Sequence, residues 1–291
     1  MNTRVEPLGS SGAKVVRNLD GGNILDLPAD EVTELFRAAG VLIFRGFGVD
    51  ANLMKVFADR FTSRFNRDRL RPPLEGTDGL VQMVTEGMGY AEPHSEQADS
   101  PFRPDAIWFA CDVPASDGGE TLYWDGVRLW DSLDPELRQL FATKKLRYFH
   151  RYSAERWKMF LGPDSTLDDV RRLLDPIAGV SYHVSADEAV YLEYVCSAVV
   201  KTRYGDREAF ANSLLSERKN TLGDLMSFDD GTPISDGAIG EIKRAMEPLT
   251  EEIAWQPGDL AFIDNWRFLH GRNAFGDRRR RIYSSLSFLN F

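Results

Sequence analysis

The chain is poor in cysteine, in histidine and in positive charge. Its 291 residues include two cysteines, Cys111 and Cys196, and four histidines. Two thiols cannot build the disulfide framework of a secreted domain. They suit a reducing compartment, where each reads as a small buried hydrophobe. No apolar stretch reaches the ~20 residues that span a bilayer, and residues 1–7 lack the apolar centre of a signal peptide. A cytoplasmic protein with no membrane contact is expected. The 35 basic residues are outnumbered by 45 acidic ones, for a net charge of −10 and a pI near 5.0. That balance leaves no electrostatic footprint for nucleic acid, and the basic run at 278–281 is too short to reverse it. There is no internal repeat and no low-complexity linker. What remains is ordinary globular composition, 43% hydrophobic and 27% charged, enough for a sizeable core in one unit spanning 1–291.

Where histidines are few, their placement matters. His94-Ser95-Glu96 sets an imidazole and a carboxylate two residues apart. In an extended segment residues i and i+2 point the same way, so both can reach one ion if 93–96 is extended. A solvated His and Glu in a surface loop would look the same. His270 lies far downstream, at the end of the mostly apolar run Asn265-Trp266-Arg267-Phe268-Leu269-His270. Two histidines and one carboxylate can hold a metal on one face and leave the other open, as suits non-haem Fe(II) oxygenases. The same donors also bind Zn²⁺ in hydrolases. His150 and His183 have no ligand-spaced neighbour and read as structural or surface residues, with His150 or Tyr152 a further candidate for a pocket wall.

Patterning places these motifs. Residues 28–39 read as a helix, with Pro28 and acids at the start and Gly40 after the end. Val41 to Phe44 is a strand and 50–62 a second amphipathic helix. Residues 66–93 form a long loop rich in Arg, Gly, Pro and Thr, with a short strand at 80–84. Such a loop beside a metal ligand is expected to act as a lid that is mobile without substrate. Ala106–Ala110 and Thr121–Trp124 flank Gly118-Gly119 like the two arms of a strand pair. Helices follow near 126–142, 165–175, 206–218 and 237–250, with strands at 145–149 and 189–194. Trp255-Gln256-Pro257-Gly258-Asp259 is a turn before the buried strand 260–264. After Arg278-Arg279-Arg280-Arg281, residues 282–289 alternate as a half-buried strand does. An arginine opening that strand, Arg281, can present its planar fork to a carboxylate.

In these motifs and their order, the chain resembles the taurine dioxygenase family of Fe(II)- and 2-oxoglutarate-dependent oxygenases, from about residue 41 to the C-terminus. The His-x-acid motif matches His94 and Glu96. A Gly-Gly-x-Thr segment matches Gly118 to Thr121, and a Trp-x-x-Gly-Asp…Asp-Asn…His segment matches Trp255, Gly258, Asp259, Asp264, Asn265 and His270. The family's co-substrate arginine, eleven residues beyond the distal histidine, falls on Arg281. The resemblance implies a mixed α/β, mainly β fold: a double-stranded β-helix, or jelly roll, with flanking helices and a helical insert at about 126–250. It implies Fe(II) on His94, Glu96 and His270; 2-oxoglutarate bound through Arg281 and Thr121; and O2 as oxidant. Glu96 stands where many members have Asp, as in clavaminate synthase, and fills the space that related halogenases clear for halide. Ser285 stands where taurine dioxygenase carries a sulfonate-binding arginine, which argues against taurine.

The expected reaction is therefore hydroxylation of a small amino-acid-like or natural-product substrate, with desaturation, epoxidation or ring closure as variants of the same chemistry. A zinc hydrolase or a non-catalytic binding relative would have no use for a 2-oxoglutarate anchor. Gln82, Tyr90, Trp108 and Arg267 are candidate substrate contacts, as are Tyr191 and Glu193. Assembly into a homo-oligomer is left open.

Overall fold

The computed structural model describes residues 1–67, 71–84, 87–217 and 226–291. Two β-sheets face each other. Among the described residues the larger runs, in spatial order, Thr3–Pro7, Lys14–Asn18, Val41–Arg45, Leu260–Asp264, Ala106–Val113, Arg281–Leu289, Thr62–Asn66, with Gln82–Met83 also paired to Arg281–Leu289. The smaller orders Glu251–Ile253, Thr121–Asp125, Phe268–Arg272 and Ala91–His94. The pairing is antiparallel apart from Lys14–Asn18 beside Val41–Arg45. The final three strands pass from the larger sheet to the smaller and back, which is the jelly-roll way of closing a barrel. No helix among the described residues is long and apolar enough to cross a membrane.

Three apolar layers hold this together. Between the sheets lie Val15, Ile43, Ile107, Phe109, Tyr123, Ala261, Phe268 and Ile282. Outside the larger sheet, helices Ala29–Ala39 and Ala51–Asp59 press Phe36, Met54 and Phe57 onto Leu42, Phe44, Trp108 and Phe262. The Phe36 ring stacks on Phe262 at 3.7 Å, and Phe262 on Trp108 at the same spacing. Ala29–Ala39 ends where predicted, with Gly40 at φ 72° and its N–H bonded to the Phe36 carbonyl. Outside the smaller sheet, Leu122, Trp124 and Leu269 pack on Leu129, Phe141, Ile242 and Met246 from the 126–250 segment.

The structure departs from the sequence reading in several places. Ala106–Val113 and Thr121–Asp125 are not a hairpin: they belong to different sheets, and the Gly118-Gly119 turn carries the chain between them. The second helix stops at Asp59, and Thr62–Asn66 is a strand. Residues 206–218 hold a helix only at Leu214–Glu217, after the short strand Glu208–Ala209. The insert is not merely helical. It carries its own antiparallel sheet, ordered Val180–Val184, Val190–Cys196, Leu146–Tyr152, Met226–Phe228, backed by helices Ala154–Leu161 and Leu167–Leu174. The last strand is buried on both faces rather than one. Of the expected lid, 68–70 and 85–86 lie outside the described residues. Near its end, Arg272 Nη2 donates to the carbonyls of Gly87 and Gly89, each at 2.9 Å.

Candidate active site

His94 and His270 are direct partners across neighbouring antiparallel strands. Opposed residues share a face with their Cβ atoms close together, so two imidazoles far apart in sequence meet, with ring centroids 4.3 Å apart. Glu96 joins them differently from the extended-segment expectation. The strand Ala91–His94 ends at the first ligand, and Ser95 to Ala98 make a turn in which Gln97 has φ 54°. That turn is held by buried polar groups. Ser95 N–H donates to the Asn212 carbonyl at 3.0 Å, Ser213 Oγ donates to the Ser95 carbonyl at 2.8 Å, and Asn265 holds the main chain of Glu96.

His94 Nε2 and His270 Nε2 lie 4.0 and 3.7 Å from the same oxygen, Glu96 Oε2. These gaps are too long for hydrogen bonds. Two donors each about 2.1 Å from an ion sit no more than about 4 Å apart, so the trio fits a metal with little adjustment. The tautomer of His94 suits this role. His94 Nδ1 faces the Glu92 carbonyl at 2.8 Å; a carbonyl only accepts, so Nδ1 carries the proton and Nε2 is left bare as a ligand. His270 Nδ1 is buried and has no hydrogen-bond partner among the described residues. Burial opposes ionisation of Glu96, but Arg71 and the two histidines outweigh it and hold the carboxyl far below the usual range. Burial, then His94, lowers His270 to about 4, which keeps it neutral and ligand-ready. Arg71 Nη2 lies 3.4 Å from both Glu96 oxygens.

A narrow cavity beside the trio is lined by Thr121, Arg272, Arg280 and Ile282, among others. Arg281 is not in it. Its side chain is 46% exposed and bonded to Asp112. Within the strand Arg281–Leu289 the even-numbered residues face inward, since Ile282 lines the cavity and Ser284 accepts a hydrogen bond from Arg71. Arg281 opens the strand at an irregularity in its pairing and turns outward, while Arg280, in the turn just before, lines the cavity. Arg280 Nε and Nη2 donate to the Gly119 carbonyl at 3.1 and 2.9 Å. Burial, then the nearby Arg272, lowers it to about 10, and it forms no ion pair among the described residues. Both guanidiniums sit 5.0 Å from the Phe275 ring. Two guanidiniums at one cavity, Arg272 buried and Arg280 half-buried, favour an anion there. Gly118-Gly119 makes room for this. A Cβ on Gly118 would meet the Ala274 carbonyl at 2.1 Å, and one on Gly119 would meet Arg280 Nε at 2.9 Å.

The remaining expectations divide. Thr121 lines the narrow cavity, its Oγ1 accepting from Trp255 Nε1 at 3.1 Å. Tyr90 stands at an outer recess with His94 and Arg272. Trp108 is fully buried on the helix-covered side, bonded to Ser287; Phe109, its neighbour of opposite parity, lines the cavity instead. Arg267 is spent on Asp125, 2.7 Å away, and Gln82 is buried against the Arg71 carbonyl. Neither lines a cavity described here. Tyr191 stacks on His183, and Glu193 faces Arg147. His150 and Tyr152 do line the larger cavity that opens from the trio. Arg71 and Arg280 went unassigned in the sequence. Arg280 lies in the turn before the last strand, where no strand pattern marks it, and nothing local marked Arg71.

The family model described as taurine catabolism dioxygenase TauD, TfdA family matches residues 4–286. Pentalenolactone F synthase of Streptomyces arenae is 30% identical over 202 residues, 67% of this chain and 62% of that enzyme, so under two thirds of its length is matched. Dapdiamide synthesis protein DdaC of Enterobacter agglomerans is 23% identical over 282 residues, 86% of this chain and 83% of that one. Among solved structures, PvcB from Pseudomonas aeruginosa matches with TM-score 0.62 at 17% identity, over 98% of this chain and 91% of that one. A taurine dioxygenase from Burkholderia xenovorans matches with TM-score 0.63 at 16% identity, over 99% and 89%. These structural likenesses show a common fold.

Proposed function

The chain belongs to the TauD/TfdA family of dioxygenases, and from that premise we propose that it oxidises an unactivated C–H bond of a small molecule, chiefly by hydroxylation. Fe(II), 2-oxoglutarate and O2 are the cofactors. The convergence of two imidazoles and one carboxylate beside a cavity lined by two arginines, Arg272 and Arg280, carries this reading. His94, Glu96 and His270 would hold the iron. Arg280, rather than Arg281, would receive the distal carboxylate of 2-oxoglutarate, with the Thr121 hydroxyl beside it. When bound, iron and 2-oxoglutarate together supply the O2-derived oxidant, with succinate and CO2 released.

The protein's own work is positional. Asn265, Asn212 and Ser213 hold the ligand-bearing turn, Gly119 seats Arg280, and the sandwich walls exclude water. Moving the arginine to 280 leaves the argument against taurine intact, because the residue four further on is Ser284, again a serine. Relatives whose names speak of synthesis, with PvcB an oxygenase from an isonitrile synthetic pathway, support a biosynthetic intermediate as substrate. We read residues 1–291 as one catalytic unit. The unpaired Cys111 and Cys196 support a cytoplasmic location.

Anaerobic addition of Fe(II) and 2-oxoglutarate tests this. A visible charge-transfer band is expected with wild type and not with His94→Ala or His270→Ala. No band from folded wild-type protein would overturn the reading.

A further inference from the structure

A larger cavity of about 610 Å³ opens from the trio, sharing Arg71, His94 and Glu96 with the narrow one. That volume suits a small-molecule ligand. The insert builds its far wall with Tyr152, Trp157, Phe160, Leu161, Leu173 and Leu174. These residues come from the insert strand Leu146–Tyr152 and the two helices behind it. Leu173 is 38% exposed, and Phe102 across the opening is 36% exposed. Apolar side chains facing an open cavity gain free energy when an apolar body covers them.

The charged lining is lopsided. Arg64, Arg67 and Arg156 are exposed members of it. None forms an ion pair among the described residues; Arg64 rests on the Phe288 ring at 4.2 Å and Arg156 on Tyr152 at 5.4 Å. The acids there are already engaged, Glu96 with Arg71 and the histidines, and Asp99 with His150, whose Nε2 lies 2.9 Å from the Asp99 carbonyl and 3.5 Å from its carboxylate. The cavity therefore has a buried metal-binding end, an apolar wall and a cationic, solvent-facing rim.

We infer that the substrate is a carboxylic acid with a bulky apolar body, which packs against the insert while the carboxylate is held at the rim by Arg64, Arg67 and Arg156. This rests on the oxygenase reading above and specifies its substrate class. The carbon oxidised then belongs to the apolar body, because the charged end is held at the exposed rim, away from His94 and Glu96. A zwitterionic amino acid matches the cavity less well: it offers no apolar body to cover Leu173 and Phe102, and its ammonium group would face three guanidiniums.

Decanoic acid and 1-adamantanecarboxylic acid serve as probes, with 1-decanol and L-lysine as controls. Each is titrated calorimetrically into the protein and, separately, into the anaerobic Fe(II)–2-oxoglutarate complex while the charge-transfer band is followed. The acids are expected to bind one per chain and to perturb the band, at least tenfold more tightly than either control. Arg156→Gln and Leu173→Gln alter exposed positions and should each weaken acid binding about tenfold or more, leaving the unperturbed band as in wild type. A normal band with no acid binding, equal binding of 1-decanol or L-lysine, or unchanged acid affinity in both variants would overturn this inference alone. Absence of the band would instead strike at the metal site.

Discussion

Asn265 grips Glu96 by both of its main-chain polar groups: Oδ1 accepts from the Glu96 N–H at 2.8 Å, and Nδ2 donates to the Glu96 carbonyl at 2.9 Å. The same Nδ2 reaches the Pro104 carbonyl at 2.9 Å, and the residue is fully buried. One side chain thus ties the carboxylate ligand to the strand that leads towards His270.

Asn265→Ala should leave a buried N–H and two carbonyls unpaired, at roughly 1–3 kcal/mol each. Thermal unfolding should move down by several degrees. Fe(II) affinity should fall by about 10–100-fold, as when groups supporting a ligand are lost. Fe(II) titration of the refolded variant checks this; wild-type affinity would mean that the turn holds itself.

Arg280→Ala should raise the KM for 2-oxoglutarate by the equivalent of roughly 2–5 kcal/mol, because a buried carboxylate loses its partner, while Fe(II) affinity stays near wild type. Arg281→Ala, which breaks only a half-exposed pair with Asp112, should change KM less than twofold. Steady-state kinetics on both variants decides between them. A large effect at 281 alone would return the anchor to Arg281.

Gly119 stands at φ 75° with its carbonyl under Arg280. Gly119→Ala would add a Cβ 2.9 Å from Arg280 Nε and 3.1 Å from Ala115 Cβ. The guanidinium must shift, so the KM for 2-oxoglutarate should rise about tenfold or more, with about 1–2 kcal/mol of stability lost to the left-handed backbone. Kinetics and chemical denaturation measure the two separately.

Burial pushes Asp264 up to about 6, against the stabilising Trp266 N–H and Arg103. Unfolded, the group titrates near 3.9. Between these values the folded state holds a proton that the unfolded state releases, so stability from this group is full below about pH 4 and lost as pH rises through 6. Asp264→Asn mimics the protonated form. Relative to wild type it should gain on the order of 1–3 kcal/mol between pH 4 and pH 7.5, read from denaturation curves at several pH values. A constant difference across that range would show that Asp264 does not titrate there.

The metal motif was legible because its chemistry is rare: few residue types bind iron, and this chain has few histidines. The first helix was equally plain, with its acids, apolar face and closing glycine all agreeing. The failures share a cause. Ala106–Val113 and Arg281–Leu289 are covered on both faces, so the pattern of apolar residues, even the rough alternation at 282–289, does not tell the cavity side from the helix-covered side. Trp108 is the expected wall residue where Phe109 is one, and Arg281 the expected anchor where Arg280 lines the cavity. Counting from His270 assumed a fixed span across the connection, whereas the strand's period of two acts only within the strand. The insert sheet was partly missed because Val180–Val184 pairs with Val190–Cys196, a relation that helix-like segments around it obscured.

His94 and His270 face each other across two strands contributed by opposite halves of the chain. The proposed iron site is therefore incomplete in a nascent or partly folded protein and is assembled only when the C-terminal strands dock. Contacts so distant in sequence form late, since loop closure must precede them. A half-made chain would present scattered single ligands with little hold on iron, and so would not gather a redox-active ion before the surrounding walls can contain its chemistry. Once docked, iron bridges the two halves and favours the closed state in proportion to its occupancy. Metal loading would then add to the stability of the folded chain, and iron starvation would shorten the protein's lifetime as well as silence it.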